Sequence, residues 1–304
     1  MRAALVVKGD IAKKRKLSKA LALTKAHPMF TEVRVLESKR AGQSVALAQQ
    51  AVQEEYDLLI AVGGDGTLNE VINGMLLANT SKLPHLATFP LGTACDFSRG
   101  IGLSGNINEI LSLIEKRSPK PTDIGKVDSV NNDGLPQTGY FLNIADAGIG
   151  GHVIDKVKSA KNRLGPNLAF LKAIAESLLI YEKSAVQVTI DGNRVWEGNA
   201  LSVIIANGNQ FGSGLIVAPN AKLDNGQFEI VIFGNVSVYE YLTKVHRVRK
   251  GRLIEDSKVK YFQGQVIHVE PIHYSCPAEM DGEYIGFAPL TISVLPNRIQ
   301  FFRP

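Results

Sequence analysis

The sequence predicts two domains: an N-terminal α/β domain with a parallel sheet, followed by a second, mainly β domain of the sandwich or barrel type. Strand-like and helical patterns alternate over residues 1–116, and this alternation is typical of parallel strands joined by crossover helices. After Pro119-x-Pro121 the pattern changes to short β-rich runs separated by turns. A chain of 304 residues also exceeds one typical domain. We therefore place the first domain at residues 1–125 and the second at 126–290.

The elements of the first domain follow from hydrophobic periodicity. Strands are predicted at residues 3–7, 32–36, 57–62 and 85–89. Helices are predicted at residues 16–26, 43–55, 68–78 and 107–116. Each predicted helix follows a predicted strand, so all four strands should run parallel in one sheet.

The second domain consists mainly of short runs rich in β-branched residues. Strands are predicted at residues 127–130, 140–144, 186–190, 200–206, 228–233, 266–269 and 290–295. Asp191-Gly192 and Asn225-Gly226 are typical of hairpin turns. One amphipathic helix, around residues 167–181, interrupts this β pattern.

The stretch 58–70, Leu-Leu-Ile-Ala-Val-Gly-Gly-Asp-Gly-Thr-Leu-Asn-Glu, is the strongest functional signal. Its apolar residues predict a buried strand, its glycines can adopt positive φ and let a ligand approach the backbone, and a helix follows near Leu68. A helix N-terminus favours a phosphate group. The acidic Asp65 does not suit direct contact with a phosphate, so we expect it to contact a metal, a ribose or other charges. An ordinary strand-to-helix turn is the alternative. The sequence lacks a Gly-Lys-Ser/Thr phosphate loop, and Asn69 stands where the dinucleotide motif requires a third glycine.

A second glycine turn follows the next predicted strand. Residues 85–89 lead into Pro90-Leu91-Gly92-Thr93-Ala94-Cys95-Asp96-Phe97. The carboxyl ends of parallel strands share one edge of a sheet, which is where open α/β sheets bind ligands. We therefore expect the two turns to lie side by side.

Composition and charge narrow the functional classes. The net charge is +5 and the pI is about 9.1, which favours acidic partners such as a nucleotide or an anionic membrane surface. Basic residues cluster at 13–16, 156–163 and 246–252, and each cluster alone is most simply a solvated helix face. Aromatic residues do not alternate with these clusters, so a nucleic-acid partner is not expected. The two isolated cysteines and the lack of a signal-peptide pattern or a membrane-length apolar run predict a cytoplasmic protein. The high pI and the three basic clusters predict that it contacts an anionic membrane peripherally.

Taken together, the motifs resemble the diacylglycerol kinase catalytic-domain family, which includes soluble bacterial lipid kinases and sphingosine kinases. The resemblance rests first on Gly63-Gly64-Asp65-Gly66-Thr67 with Asn69-Glu70, and on Pro90-Leu91-Gly92-Thr93 with Asp96-Phe97. It continues in order along the chain, with further matches at 123–127, 141–143, 148–150, 207–208, 211–214, 218–221 and 281–283. It also implies that the tail, residues 291–304, returns to the first domain.

The resemblance implies an ATP-dependent lipid kinase that binds ATP and Mg²⁺ between two domains and transfers the γ-phosphate to a lipid hydroxyl. The expected nucleotide-binding residues are Ser38, Gly63, Gly64, Asp65, Gly66, Thr67, Leu68, Asn69 and Thr93. Ser38 is the weakest of these, because the family tends to have a threonine there. An NAD kinase shares the Gly-Gly-Asp-Gly-Thr turn and is the alternative enzyme, and an inactive nucleotide- or lipid-binding regulator is the alternative outside enzymes.

A kinase acting on an alcohol requires a group that accepts the hydroxyl proton. Asp281-Gly282-Glu283 places two carboxylates on one predicted turn, where like charges can raise a pKa toward neutrality. A plain hairpin turn is the alternative interpretation. The resemblance implies that Glu283 is the general base, that Asp281 orients it, and that Asp123 belongs to the same charge network.

One loop matches a metal site of the family, and two other positions depart from the family pattern. The segment Lys222, Asp224, Asn225 and Gln227 matches a family loop that binds a structural magnesium, but Asn225 stands where a carboxylate is usual. Cys95 replaces a usual asparagine, and the first strand ends in Lys8-Gly9-Asp10 instead of Asn-Pro and small residues.

Overall fold

The computed structural model describes residues 1–9, 15–78, 80–131, 134–159, 176–177, 180–273 and 275–304. The chain divides into two compact units. The first comprises Met1–Ile124 with Pro296–Pro304, and the second comprises Gly125–Leu295.

The first unit is a parallel α/β sheet. Its strands are β1 (Arg2–Lys8), β2 (Glu32–Ser38), β3 (Leu58–Gly63) and β4 (His85–Pro90). Its helices are α1 (Arg15–Ala26), α2 (Gln43–Gln53), α3 (Asp65–Leu77), α4 (Asp96–Gly100) and α5 (Ile107–Glu115). The strands pair in the order β2-β1-β3-β4, all parallel, and every residue of β3 is buried. A strand buried on both faces needs helices on both sides of the sheet.

The C-terminal end of the chain contributes to this sheet. Strand β15 (Glu283–Phe301) ends with Phe301 paired in parallel to Leu86 of β4. The Phe301 and Phe97 rings lie edge to face, with centroids 5.6 Å apart. Strand β5 (Lys120–Val130) begins in this unit, and its Asp123 accepts a hydrogen bond from Asn297 N at 2.7 Å.

The second unit is a β-sandwich-like domain of antiparallel strands. Its remaining strands are β6 (Pro136–Phe141), β7 (Ile144–Gly148), β8 (Ser184–Ile190), β9 (Asn193–Ala200), β10 (Ser202–Ala206), β11 (Phe228–Phe233), β12 (Val259–Gly264), β13 (Val266–Pro271) and β14 (Pro277–Met280). Its helices are α6 (Ile149–Ser159) and α7 (Val238–Arg249). One run of pairings is β12-β11-β10-β7-β14-β15, and a second is β15-β13-β8-β9. Residues of both runs form one core, including Val188, Ile230 and Ile267.

The predicted fold class is confirmed, and several element boundaries were wrong. The predicted strand 140–144 is two strands, β6 and β7, separated by Leu142 and Asn143. The predicted strand 200–206 is also interrupted, at Leu201 between β9 and β10. Helices α6 and α7 were not predicted from the sequence. Most of the predicted helix 167–181 lies outside the described residues, as do residues 13–14 and 160–163 of the basic clusters and Asp10.

Within the described part of the chain, no helix is both long enough and apolar enough to cross a membrane.

Candidate active site

The carboxyl ends of the parallel strands bring several predicted residues to one edge of the first unit. Ser38 ends β2 and pairs with Lys8 at the end of β1. Gly63 ends β3 and pairs with Pro90 at the end of β4. Because Val7 pairs with Val62, the end of β1 lies between Ser38 and Gly63, which puts these two residues about 10 Å apart.

The two glycine turns lie side by side, as predicted. The Gly63 carbonyl accepts hydrogen bonds from Leu91 N at 2.8 Å and from Gly92 N at 3.1 Å. A Cβ atom on Gly92 would lie 2.4 Å from Gly64 Cα, and one on Gly63 would lie 2.3 Å from Thr67 Oγ1. The glycines are therefore needed for close approach. None of Gly63, Gly64 and Gly66 has a positive φ, and that of Gly64 is −102°, so the suggestion that these glycines adopt positive φ is wrong.

Helix α3 begins earlier than the sequence predicted. It starts at Asp65 after the N-cap Gly64, where the prediction placed the start near Leu68. Leu68 N donates to Gly64 O at 3.1 Å, so Gly66 and Thr67 belong to the first turn. The first N–H groups of a helix have no partner within it and carry its positive dipole end. This turn is therefore suited to a phosphate group.

Asp65 has a role that the sequence did not reveal. Its carboxylate accepts hydrogen bonds from Asp96 N at 2.9 Å and Phe97 N at 3.2 Å, so it caps the first N–H groups of α4. Burial is the largest effect on this side chain and raises the pKa of Asp65. The carboxylate thus links the two turns, which explains how an acidic residue occupies a turn of the phosphate-binding type.

Glu70 has a similar capping role that sequence analysis missed. Its carboxylate accepts hydrogen bonds from Gly42 N and Ser44 N, both at 3.1 Å, at the start of α2. Gly42, the N-cap of α2, has a φ of +77° and has no side chain of its own to cap the helix. The Glu70 carboxylate provides the cap instead. Asp65 and Glu70 lie about 1.4 turns apart on α3, so their side chains leave the helix in different directions and cap different helices.

The other predicted nucleotide-binding side chains differ in exposure. Thr67, Leu68 and Asn69 are buried, as is Ser38. Asn69 Oδ1 accepts a hydrogen bond from Asn73 Nδ2 at 3.1 Å. Thr93, in the second turn, is exposed.

Cys95 occupies a left-handed backbone position at the N-cap of α4, with φ 49° and ψ 47°. Asparagine is enriched at such positions among residues other than glycine. The Cys95 Sγ atom lies 3.8 Å from the Gly63 carbonyl oxygen. Burial raises the pKa of the Cys95 thiol, so this group is not a reactive thiolate.

Asp123 is fully buried in the first unit. Its Oδ1 accepts the hydrogen bond from Asn297 N noted above, and Asn297 has a φ of +51°. The carboxylate therefore holds the backbone where β15 continues into the C-terminal tail.

In the second unit, Asp281-Gly282 forms the two-residue turn between β14 and β15. Both residues have positive φ, 49° and 83°, as a type I′ hairpin turn requires, and Met280 pairs with Glu283. The hairpin interpretation is therefore confirmed. Glu283 is the first residue of β15 and is partly exposed.

The Asp281 carboxylate joins distant parts of the second unit. Its oxygens accept hydrogen bonds from Leu142 N at 2.8 Å and from Asn143 N and Ile144 N at 3.0 Å. Asn143 O in turn accepts from Asn207 N at 2.9 Å and Gly208 N at 2.8 Å. The structure thus brings together three motifs that the sequence separates: 141–143, 207–208 and 281–283.

A buried pair of acidic residues lies next to this turn, and sequence analysis missed it. Glu279 of β14 pairs directly with Asp146 of β7, and both are at most 3% exposed. Glu279 Oε2 accepts a hydrogen bond from Gly282 N at 2.7 Å. Asp146 accepts hydrogen bonds from Ser202 Oγ and from Gly150 N, the latter at 2.8 Å. Burial raises the pKa of Asp146 to about 7 and raises that of Glu279 well above its usual range.

The predicted metal loop lies before β11. Lys222, Asp224 and Asn225 are exposed, and Gln227 is partly buried. Asn225 Oδ1 accepts a hydrogen bond from Gln227 N at 3.1 Å, so this oxygen already serves the loop. Among the described residues, no group of three or more His, Cys, Asp or Glu side chains could hold a metal. The Asp224 carboxylate and the main-chain carbonyls of the loop are oxygen donors of the kind that Mg²⁺ prefers.

Comparison with known proteins identifies the class of this chain. The chain combines an α/β unit with a β-sandwich-like unit, and this fold occurs in solved structures of a diacylglycerol kinase and an NADH kinase. Residues 6–127 match the diacylglycerol kinase catalytic domain, and residues 143–303 match the YegS C-terminal NAD kinase beta sandwich-like domain.

Individual relatives agree with these matches. A diacylglycerol kinase of Staphylococcus aureus is 31% identical over 284 residues, covering 93% of this chain and 86% of the relative. One of Staphylococcus carnosus is 29% identical over 283 residues, covering 93% and 88%. The crystal structure of a Bacillus anthracis diacylglycerol kinase has a TM-score of 0.70 at 25% identity, covering 100% of this chain and 97% of that one. Yeast NADH kinase, at 10% identity and a TM-score of 0.56, shares the fold.

The chain belongs to the diacylglycerol kinase family, and it is a kinase that transfers phosphate to a hydroxyl group. The family resemblance seen in the sequence is thereby confirmed.

Proposed function

We propose that this protein is an ATP-dependent lipid kinase that transfers the γ-phosphate of ATP to the hydroxyl of a lipid of the diacylglycerol, phosphatidylglycerol or sphingoid type. The observation that supports it most is the pair of turns at the edge of the first unit, in a chain that shares 31% identity with a diacylglycerol kinase over 93% of its length. Apolar sites discriminate weakly between long chains, so the lipid panel described below identifies the acceptor.

The phosphates of ATP are proposed to bind at the N-terminus of α3. Gly63 and Gly64 remove the Cβ atoms that would keep a phosphate from the backbone, and the helix dipole favours the negative charge. The Asp65 carboxylate does not oppose this, because it is hydrogen-bonded to Asp96 N and Phe97 N. Ser38 and Thr93 are the proposed polar contacts from neighbouring strand ends, and Thr67 and Asn69 those from α3.

Glu283 is the proposed general base. Its carboxylate would accept the proton of the lipid hydroxyl as the hydroxyl oxygen attacks the γ-phosphorus and ADP leaves. Asp281 is the proposed orienting residue, and its hydrogen bonds to three backbone N–H groups support this, because they fix the turn that presents Glu283. Asp123 is the third proposed carboxylate, and its buried hydrogen bond to Asn297 N supports a positioning role.

Magnesium is the proposed cofactor. When bound with ATP, it would neutralise charge on the transferring phosphate. A second, structural Mg²⁺ is proposed at the loop of Lys222, Asp224, Asn225 and Gln227, with Asp224 as its carboxylate ligand. Asn225 would stabilise this loop through its hydrogen bond to Gln227 N.

Contact with an anionic membrane is proposed through helix α7. The last turn of α7 has His246, Arg247 and Arg249, and Arg252 follows in an exposed position. Tyr239, near its start, is 76% exposed. Basic residues near a surface contribute about 1 kcal/mol each against anionic lipid, and an exposed tyrosine suits the interface.

The test is phosphorylation by purified protein of lipids in mixed micelles with γ-labelled ATP and Mg²⁺. The panel contains diacylglycerol, phosphatidylglycerol, a sphingoid base and ceramide, with NAD as the control for the alternative enzyme. We expect label in one lipid and none in NADP. Label in NADP alone would establish the NAD kinase alternative, and tight ATP binding with no labelled product would favour an inactive regulator.

A further inference from the structure

We propose that Glu279 is a positioning residue for the turn of the proposed base Glu283, and that Asp146 and Glu279 share a single proton beneath that turn. The positioning part rests on the proposed lipid kinase function. The proton-sharing part concerns the folded chain alone.

The geometry of Glu279 supports its positioning role. Its Oε2 accepts the 2.7 Å hydrogen bond from Gly282 N, the residue immediately before Glu283. Gly282 lies in the left-handed region, with a φ of +83°. Glu279 therefore fixes the backbone of the turn from below, while the Asp281 carboxylate fixes it through residues 142–144.

Neighbouring residues hold the Asp146 carboxylate in its position opposite Glu279. A Cβ atom on Gly150 would lie 2.2 Å from Asp146 Oδ2, so the start of α6 closes tightly over this carboxylate. Ser202 of β10 donates to its other oxygen. The direct register of Asp146 opposite Glu279 places both side chains on one face of the sheet.

The charges around the pair favour retention of a proton. No Lys, Arg or His among the described residues forms an ion pair with either carboxylate. Among the described residues, the titratable groups that interact electrostatically with the pair are Asp281, Glu283, Tyr181, Tyr241 and Cys276, and none of them is a base. Helix α6 packs on β7 and β14, and the backbone amides of Gly150 and Gly151 donate hydrogen bonds to Asp146. The titratable residues of α6 near this end are His152, Asp155 and Lys156. Two buried carboxylates that face each other cannot both ionise easily, so one proton is retained.

The buried pair of Asp146 and Glu279 determines whether the free energy of unfolding rises or falls with pH. Burial raises the pKa of Asp146 to about 7, whereas a carboxyl group in the unfolded chain has a pKa of about 4. The folded protein then binds more protons than the unfolded chain between these values. The free energy of unfolding should therefore fall as the pH rises from about 4 to about 7.

The first experiment measures urea unfolding from pH 5 to 9 without any substrate. Glu279→Gln and Asp146→Asn each remove one of the facing charges, and each should flatten the loss of stability with rising pH that the native sequence shows. Glu229→Gln is the matched control, because Glu229 is a buried carboxylate on β11 that accepts a hydrogen bond from Gln263. Three profiles parallel to that of the native sequence would overturn the shared proton.

The second experiment measures kcat and the KM for ATP across the same pH range. Glu279→Gln keeps an acceptor for Gly282 N and has no carboxyl proton to lose, so it should remove the alkaline decline of kcat that loss of the shared proton causes in the native protein. Glu279→Met removes the acceptor at similar size and should lower kcat about tenfold at every pH, with little change in the KM for ATP. Wild-type kcat in Glu279→Met would overturn the positioning role. If no lipid is phosphorylated by the native protein, the unfolding profiles still decide the shared proton.

Discussion

An alanine at position 92 is expected to weaken ATP binding by pushing the two glycine turns apart. The Cβ atom of Gly92→Ala would lie 2.4 Å from Gly64 Cα and 2.9 Å from Gly64 N. Both neighbours are backbone atoms, so no side chain can rotate away. To reach an ordinary contact, the turns must separate by about 1 Å, because closely packed atoms do not overlap.

The size of the effect follows from that displacement. A 1 Å misplacement in a binding constellation can cost about 10²-fold in activity, and overpacking costs about 1–3 kcal/mol in stability. The hydrogen bond from Gly92 N to Gly63 O, now 3.1 Å, would also lengthen. We therefore expect ATP affinity to fall by one to two orders of magnitude in Gly92→Ala.

Gly64→Ala separates the packing of the two turns from the access of phosphate to the backbone. Its Cβ atom would lie 3.3 Å from Gly92 Cα, and its φ of −102° suits any residue. A shift of a few tenths of an ångström accommodates it between the turns, so a loss of ATP affinity in this variant would come from the Cβ atom that stands between the phosphate and the backbone. Calorimetric titration with ATP measures both variants, after circular dichroism has shown that they are folded. Equal affinities in Gly92→Ala and the native protein would refute the reasoning.

Glu283→Gln should lower kcat by about 10²–10⁴-fold with little change in ATP affinity, as expected on loss of a general base; near-normal turnover on the active lipid would exclude Glu283. Cys95→Asn should raise the free energy of unfolding in urea by about 0.5–1 kcal/mol, because asparagine tolerates the left-handed backbone and can donate to Gly63 O; a decrease would contradict this explanation. Sedimentation of the protein with anionic vesicles should fall steeply as salt increases; equal binding to neutral vesicles at all salt concentrations would argue against the contact proposed for α7.

The sequence predicts the first unit well because its structure is largely local. Each strand is a short apolar run followed by a helical pattern, and the starts of the α2 and α5 helices agree with the prediction to the residue. Helix α3 is the exception, since glycines at 63, 64 and 66 favour a turn in sequence analysis. The packing of Gly64 against Gly92 from the next strand determines where that helix begins, and this contact is not visible in local sequence.

The second unit was predicted less well because distant residues set its boundaries. Strand β6 ends before Leu142 because the N–H groups of residues 142–144 donate to Asp281, which is 137 to 139 positions away. The buried pair was missed for a related reason. An acidic residue in a strand normally indicates the solvent-facing side, and the register of β7 with β14 is needed to show that Asp146 and Glu279 face each other.

The acidic residues of the motifs mostly fix the backbone, and this affects how their substitution should be interpreted. Asp65 caps α4, Asp123 holds Asn297 N, and Asp281 holds three N–H groups. Loss of such acceptors leaves buried N–H groups unsatisfied, at about 1–3 kcal/mol each. Lower activity in an alanine variant at any of these positions would therefore not identify a proton acceptor. A general base is distinguished by a fall in kcat with unchanged unfolding free energy and by loss of the acid limb of the pH–rate profile. By this criterion Asp281→Asn should lose stability as well as turnover, whereas Glu283→Gln should lose turnover alone.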